Sequence, residues 1–270
     1  FEGLYVTPEW RATQMRQLSY GGSLFVMLAV LICGSVLYPT ILGLHKERDK
    51  KTKKLFQSNV LVMKSLGDAI ARRDSETGTH NTRVTLIAIA IAKAMGFPSE
   101  DMESLLVGAL LHDIGKIAIS DAILLKPEKL TDAEFEIMKT HVQHGESIIE
   151  KKGWLHAASD VISGHHERWD GTGYPRGLKG ELIPLAARIF AVADVFDALV
   201  SRRPYKDPLD YQTAISMIEK ESGDHFDPRV VNAFKSVAKV LYLELTSSSE
   251  SALEKKLDRV IDRYLRVGLS

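Results

Sequence analysis

From Gln17 to Leu44 no residue is charged, and the stretch Leu24-Phe-Val-Met-Leu-Ala-Val-Leu-Ile-Cys33 is apolar around the whole helical circumference. A span of about 20 such residues crosses a bilayer core, so the pattern predicts a transmembrane helix over 23–44. Pro39 near its far end removes a backbone donor and can kink it. Past the span the polarity reverses abruptly. His45-Lys46-Glu47-Arg48-Asp49-Lys50-Lys51-Thr52-Lys53-Lys54 is strongly basic, whereas only Arg11 and Arg16 flank the other side. The positive-inside rule then places everything after the span in the cytoplasm.

Next, Leu55, Val62, Leu66 and Ala69 recur at near-helical spacing up to Arg73. They predict a linker helix over 45–73 whose apolar stripe either pairs with a second copy of the chain or packs on the domain that follows. From Thr77 to Tyr242 the pattern stays helical. Ser99-Glu100-Asp101 places a capping residue and acids before the apolar run Leu105 to Leu111, and Thr131-Asp132-Ala133-Glu134 reads as a capping box whose helix extends through His141. No sustained alternation or β-branched run calls for a sheet. The fold class expected is all-α, with a final amphipathic helix carrying Leu253, Leu257, Val260, Ile261 and Leu265 on one side.

Composition narrows the chemistry. Basic and acidic residues balance at 35 each among 270 residues, which removes the positive field that polymeric nucleic acid requires. Cys33 is the only cysteine, so a metal site must be built from His, Asp and Glu. The chain opens with Phe1-Glu2-Gly3, which suggests a piece of a longer protein with an upstream sensor.

Five of the nine histidines stand in contexts that suit divalent metals. Glu76 and His80 are four apart and share a face if that segment is helical. His112-Asp113 ends a strongly apolar helix, where two ionisable groups are costly unless paired or metal-bound. Lys116 stands four residues beyond His112 and can present a cation to a phosphate. His141 follows, then His165-His166-Glu167-Arg168-Trp169-Asp170-Gly171-Thr172-Gly173-Tyr174-Pro175, in which both glycines supply turn conformations and Pro175 stiffens the exit. Asp194 sits in an apolar helix and needs a partner. His144, His45, His156 and His225 have no such context.

In order and spacing these pieces resemble the HD-GYP family, a subgroup of the HD superfamily of metal-dependent phosphohydrolases. The resemblance runs from about Arg72 to Val231 and includes Arg203-Pro204-Tyr205-Lys206 and Gly223-Asp224-His225-Phe226-Asp227-Pro228. It implies that Glu76, His80, His112, Asp113, His141, His165, His166 and Asp194 converge on two or three divalent metals, with Asp113 bridging. Iron or manganese suits such a nitrogen and oxygen donor set. It further implies hydrolysis of cyclic di-GMP, with Asp113 and Lys116 in catalysis and Lys116, Gly173, Tyr174, Arg203 and Lys206 in substrate binding. Another cyclic dinucleotide such as cyclic GMP-AMP, or a non-catalytic binding module, stands as the alternative. The organisation expected is a juxtamembrane segment over 1–22, the span over 23–44, the linker over 45–73, an HD-type helical bundle with a GYP extension over 74–242 and a C-terminal helix over 243–270. Together these readings expect a single-pass bacterial inner-membrane protein, a homodimer, with a cytoplasmic catalytic domain.

Overall fold

The computed structural model describes residues 9–74, 79–150, 158–202 and 207–264, with the side chains of Phe56 and Gln57 excepted. Eleven α-helices run through the described residues, and the nearest thing to a strand among them is a single bridge between Ser222 and Phe226. The all-α expectation holds. The chain divides into two compact units, Phe1–Gln57 and Ser58–Ser270.

Helix α1 (Glu9–Arg73) is continuous through Pro39. In the first unit Leu24, Phe25, Val26, Leu28 and Leu31 are all exposed, and α1 is the one helix among the described residues long and apolar enough to cross a membrane. Its last turns belong to the second unit. There Val60, Met63, Ile70 and Ala71 are buried while Val62, Leu66 and Ala69 face outward. Within this unit, Val62, Leu66 and Ala69 of the stripe therefore do not pack on the domain, and the opposite side of the helix does.

The core of the second unit is α2 (His80–Ala94), which lies against α3 (Met102–Leu111), α8 (Leu185–Val200), α10 (Pro228–Ser247) and α11 (Glu250–Tyr264). Both α2 and α3 are apolar on nearly every side, the pattern of a helix surrounded by protein. Val84, Ile87, Ala88, Ile91 and Ala92 of α2 and Leu105, Leu106 and Val107 of α3 have no solvent exposure. α10 begins on Asp227, whose carboxylate accepts from Arg229 N, with Pro228 in the first turn. It lays Phe234 edge-on to Phe196 of α8, with ring centroids 4.8 Å apart. Truncating a phenylalanine buried in this way costs ~3–5 kcal/mol. α11 buries Leu253, Leu257, Val260 and Ile261, the side expected; Leu265 lies outside the described residues.

Three local expectations are corrected. The Thr131 capping box is present, with Glu134 N donating to Thr131 Oγ1, but its helix α5 (Asp132–Lys139) stops at Thr140, and His141 opens a separate helix, α6 (His141–Ile149). Ahead of α3 the N-cap residue Asp101 makes no side-chain cap bond. α10 runs on to Ser247, so the boundary expected at 243 falls inside a helix.

Candidate metal centre

Most candidate donors sit at helix ends, where side chains can converge without a helix wall between them. His80 is the first residue of α2 and His112 caps the end of α3. Asp113 opens a 3-10 turn (Ile114–Ala118) and His141 opens α6. His165 caps α7 (Ser159–Gly164), His166 follows it, and Asp194 alone comes from mid-helix, in α8. The 3-10 turn approaches α6 closely. A Cβ at Gly115 would lie 1.8 Å from His141 O and 2.5 Å from Gly145 N, so only glycine lets the two backbones meet.

These seven residues form two groups. In Asp113, His141, His165 and His166, one donor atom from each lies within 4.8 Å of the others, and the same holds for His80, His112 and Asp194. Asp113 stands between them. Its Oδ2 is 3.0 Å from His112 Nε2, whereas its Oδ1 is 3.6 Å from His141 Nε2 and 3.9 Å from His165 Nε2. His80 Nε2 lies 3.5 Å from Asp194 Oδ1. Glu76, Arg203 and Lys206 lie outside the described residues.

The imidazoles are oriented from behind. His112 Nδ1 is 3.0 Å from Ala109 O, His141 Nδ1 is 2.7 Å from Met138 O, and His165 Nδ1 is 3.1 and 3.0 Å from Val161 O and Ile162 O. A carbonyl only accepts, so each Nδ1 carries the proton, and His141 and His165 turn the lone pair of Nε2 inward. The Nε2 atoms of His141 and His165 are buried without a hydrogen-bond partner. A lone pair buried in that condition is costly. Supplying a cation removes the cost, so the donors fit a pair of metal ions made by nitrogen and carboxylate ligation.

Electrostatics favour the neutral form for three of the imidazoles. Burial, joined by the charge of His112, holds the His165 imidazole near about 3. Burial, with His165 and His141, keeps His166 well below the usual histidine range. Burial also lowers His141, against the pull of Asp113. For His112 burial presses downward, but the charge and hydrogen bond of Asp113 outweigh it and the net direction is up. Asp113 is pushed up by burial and pulled down more strongly by His112 and Lys116, which leaves it far below the ordinary carboxylate range.

Four residues that the sequence did not single out support this centre. Asp197, buried in α8, takes His80 Nδ1 at 2.9 Å on Oδ2 and Arg83 Nε at 2.7 Å on Oδ1. The only signal for it is its place three residues after Asp194. Glu167, also buried, accepts from Arg176 N at 2.8 Å and Leu178 N at 3.0 Å and so closes the loop after His166. Asp74 receives Lys116 Nζ at 2.5 Å. Arg73 donates to Lys116 O at 2.9 Å and Ile119 O at 2.8 Å, tying the end of α1 to the 3-10 turn.

Lys116 belongs to that turn rather than to a continuation of α3, and its ammonium lies 2.8 Å from Asp113 Oδ2. Tyr174 stacks on His166, with ring centroids 4.6 Å apart at 27°. In the same loop Gly171 takes φ +87°, the turn conformation expected, but Gly173 is a glycine for a different reason. A Cβ there would meet Arg168 N at 2.3 Å and Glu167 Cα at 2.6 Å. His144 is exposed.

The HD domain family matches residues 64–230. A cyclic di-GMP phosphodiesterase of Thermotoga maritima is 48% identical over 169 residues, covering 62% of this chain and 46% of that protein. A 3'3'-cGAMP-specific phosphodiesterase 2 of Vibrio cholerae is 37% identical over 197 residues, covering 72% and 38%. The chain thus spans less than half the length of these relatives. In fold it is similar to the crystal structure of a cyclic GMP-AMP specific phosphodiesterase of V. cholerae, with a TM-score of 0.55 at 19% identity, covering 71% of this chain and 53% of that one. With the motifs converging as described, the chain belongs to the HD domain family and, within it, to the HD-GYP group.

Proposed function

We propose that this chain is the catalytic part of a metal-dependent phosphodiesterase that hydrolyses cyclic di-GMP, first to linear pGpG and then to GMP. The observation that carries the reading is the division of Asp113, one oxygen toward each of two histidine groups, with the Nε2 atoms of His141 and His165 buried and unpartnered. His80, His112 and Asp194 would hold one ion and His141, His165 and His166 another, with Asp113 shared, and Glu76 would serve a third; iron or manganese would suit the donor set. Divalent ions bound there lower the pKa of water toward neutrality and neutralise charge on the phosphoryl oxygens.

The side chains do the rest. The backbone carbonyls and Asp197 hold the imidazoles by Nδ1 and so aim Nε2 inward. Lys116, anchored beside Asp113, presents its ammonium to a non-bridging phosphate oxygen as charge develops. The Tyr174 ring receives a guanine, the Gly173 loop shapes that contact, and Arg203 and Lys206 meet phosphate or base edges. Water adds at phosphorus and the P–O3′ bond breaks, which opens the ring.

The span over 23–44 anchors the chain in the bacterial inner membrane with the catalytic unit cytoplasmic, and the outward stripe of Leu55, Val62, Leu66 and Ala69 suits a homodimer contact. Relatives named for 3'3'-cGAMP favour a second reading with the same chemistry on that dinucleotide. A substrate panel followed by chromatography, with and without a chelator, decides between them. Turnover that survives complete metal removal would sink the mechanism, and turnover of cyclic GMP-AMP alone would replace the substrate.

A further inference from the structure

Helix α5 has an apolar side, yet none of its residues is buried. Phe135 is 45% exposed and Ile137 47% exposed. The helix is held by its Thr131 capping box and by Lys126, which donates to both oxygens of Glu134 at 2.8 and 2.7 Å. Polar contacts therefore fix its position and leave the aromatic side chain to solvent, which is where a ligand covers apolar surface most profitably.

That ring stands beside the metal centre. Phe135 meets Tyr174 edge to face, with centroids 6.1 Å apart at 82°, and Tyr174 in turn lies on His166. Lys139 Nζ is 5.5 Å from the centroid of Phe135 and 5.8 Å from that of Tyr174, and pairs with Glu136 Oε1 at 2.6 Å. Two rings at a right angle and one ammonium thus form a corner that begins on a ligand of the Asp113 group. Lys139 is only two residues from another ligand, His141. A cyclic dinucleotide carries two bases, and Tyr174 has surface for one of them.

We infer that Phe135 and Lys139 form a second base-binding ledge, on which Phe135 stacks a purine of the cyclic dinucleotide and Lys139 meets its carbonyl or phosphate oxygen. This rests on the functional reading above. A base–aromatic stack contributes ~1–3 kcal/mol, equal to about 5- to 150-fold in binding. The full chain, loaded with metal, is assayed on cyclic di-GMP, on 3'3'-cGAMP and on bis(p-nitrophenyl) phosphate, a diester with no purine. Phe135→Ala should lower the ratio of kcat/KM on cyclic dinucleotide to kcat/KM on the aryl diester by about 5- to 150-fold, mainly through KM, and Phe135→Trp should restore it. Lys139→Gln should lower the same ratio in a way that shrinks as salt rises. An unchanged ratio in Phe135→Ala, including equal loss on both substrates, overturns the ledge and leaves the functional reading standing. A wild-type protein that cleaves the aryl diester but neither cyclic dinucleotide overturns the functional reading and the ledge with it.

Discussion

Asp197→Asn isolates the support behind one metal group. In the wild type each carboxylate oxygen has work to do. Oδ2 faces His80 Nδ1 at 2.9 Å, while Oδ1 takes Arg83 Nε at 2.7 Å and Ser201 Oγ at 3.0 Å. Burial raises the pKa of Asp197, but the hydrogen bond and charge of His80, followed by Arg83, prevail, and the group stays ionised. Asparagine keeps the shape and one acceptor, turns an NH₂ toward either the imidazole or the guanidinium, and removes the charge from both. His80 then loses the partner that fixes its tautomer. Loss of such an outer contact weakens metal binding about 10- to 100-fold, or ~1.4–2.7 kcal/mol. The effect should fall on the His80, His112 and Asp194 group and spare the group on Asp113 Oδ1. Calorimetric titration of the metal-stripped protein, with circular dichroism to confirm the fold, measures this directly. One binding step should weaken and the other should superimpose on wild type. Two unchanged steps, or both weakened equally, would refute the role given to Asp197.

Asp113→Ala should abolish hydrolysis and release much of the metal, whereas Lys116→Ala should retain the metal by elemental analysis and lower kcat by about 10²–10³-fold; wild-type turnover in Lys116→Ala would remove it from the phosphate. Inserting one to four residues near Lys54 should change activity with the phase of the insertion, and equal activity in all four would make α1 a tether only. His225 is held at about 4, chiefly by burial and then by Arg168. Because its folded pKa lies below the unfolded value, it contributes nothing above about pH 6.5 and costs stability as pH falls from there toward 4. The cost is no more than about 3 kcal/mol once partial exposure is counted. Urea unfolding at pH 7 and pH 5 should show His225→Gln losing about 1–2 kcal/mol less than wild type over that interval, and identical losses would remove His225 from the acid limb.

Helices and most donors were legible because both leave short-range marks: apolar runs, the Thr131–Glu134 capping pair, and histidines beside carboxylates. What stayed hidden depends on distant partners. Asp197 is 117 residues from His80 and 114 from Arg83, so nothing local distinguishes it from any other carboxylate in an apolar helix. The break at Thr140 has no glycine or proline to announce it. It appears where His141 Nδ1 reaches back to Met138 O, a bond that turns Nε2 toward Asp113. Gly173 reads as a turn residue in the sequence, and only the packed loop shows that backbone atoms of Arg168 and Glu167 occupy the space a side chain would take.

The end of α1 is tied to the turn that carries Asp113. Arg73 donates to the carbonyls of Lys116 and Ile119 and, at 2.7 Å, to Asp121 Oδ1, while the next residue, Asp74, holds Lys116 Nζ. The Lys116 carbonyl also receives Ile119 N at 3.0 Å, so Arg73 adds a second donor there, of the kind that carbonyls at the end of a short helical turn take up. On its other side the same turn is pressed against α6 at Gly115, where backbone atoms of His141 and Gly145 leave no slack. Asp113 opens this turn and Lys116 lies within it. A shift of α1 is therefore resisted by α6, and the residue between those two constraints is the one that shares its oxygens between the metal groups. Catalytic geometry that tolerates less than about 1 Å of misplacement is thereby exposed to whatever moves α1.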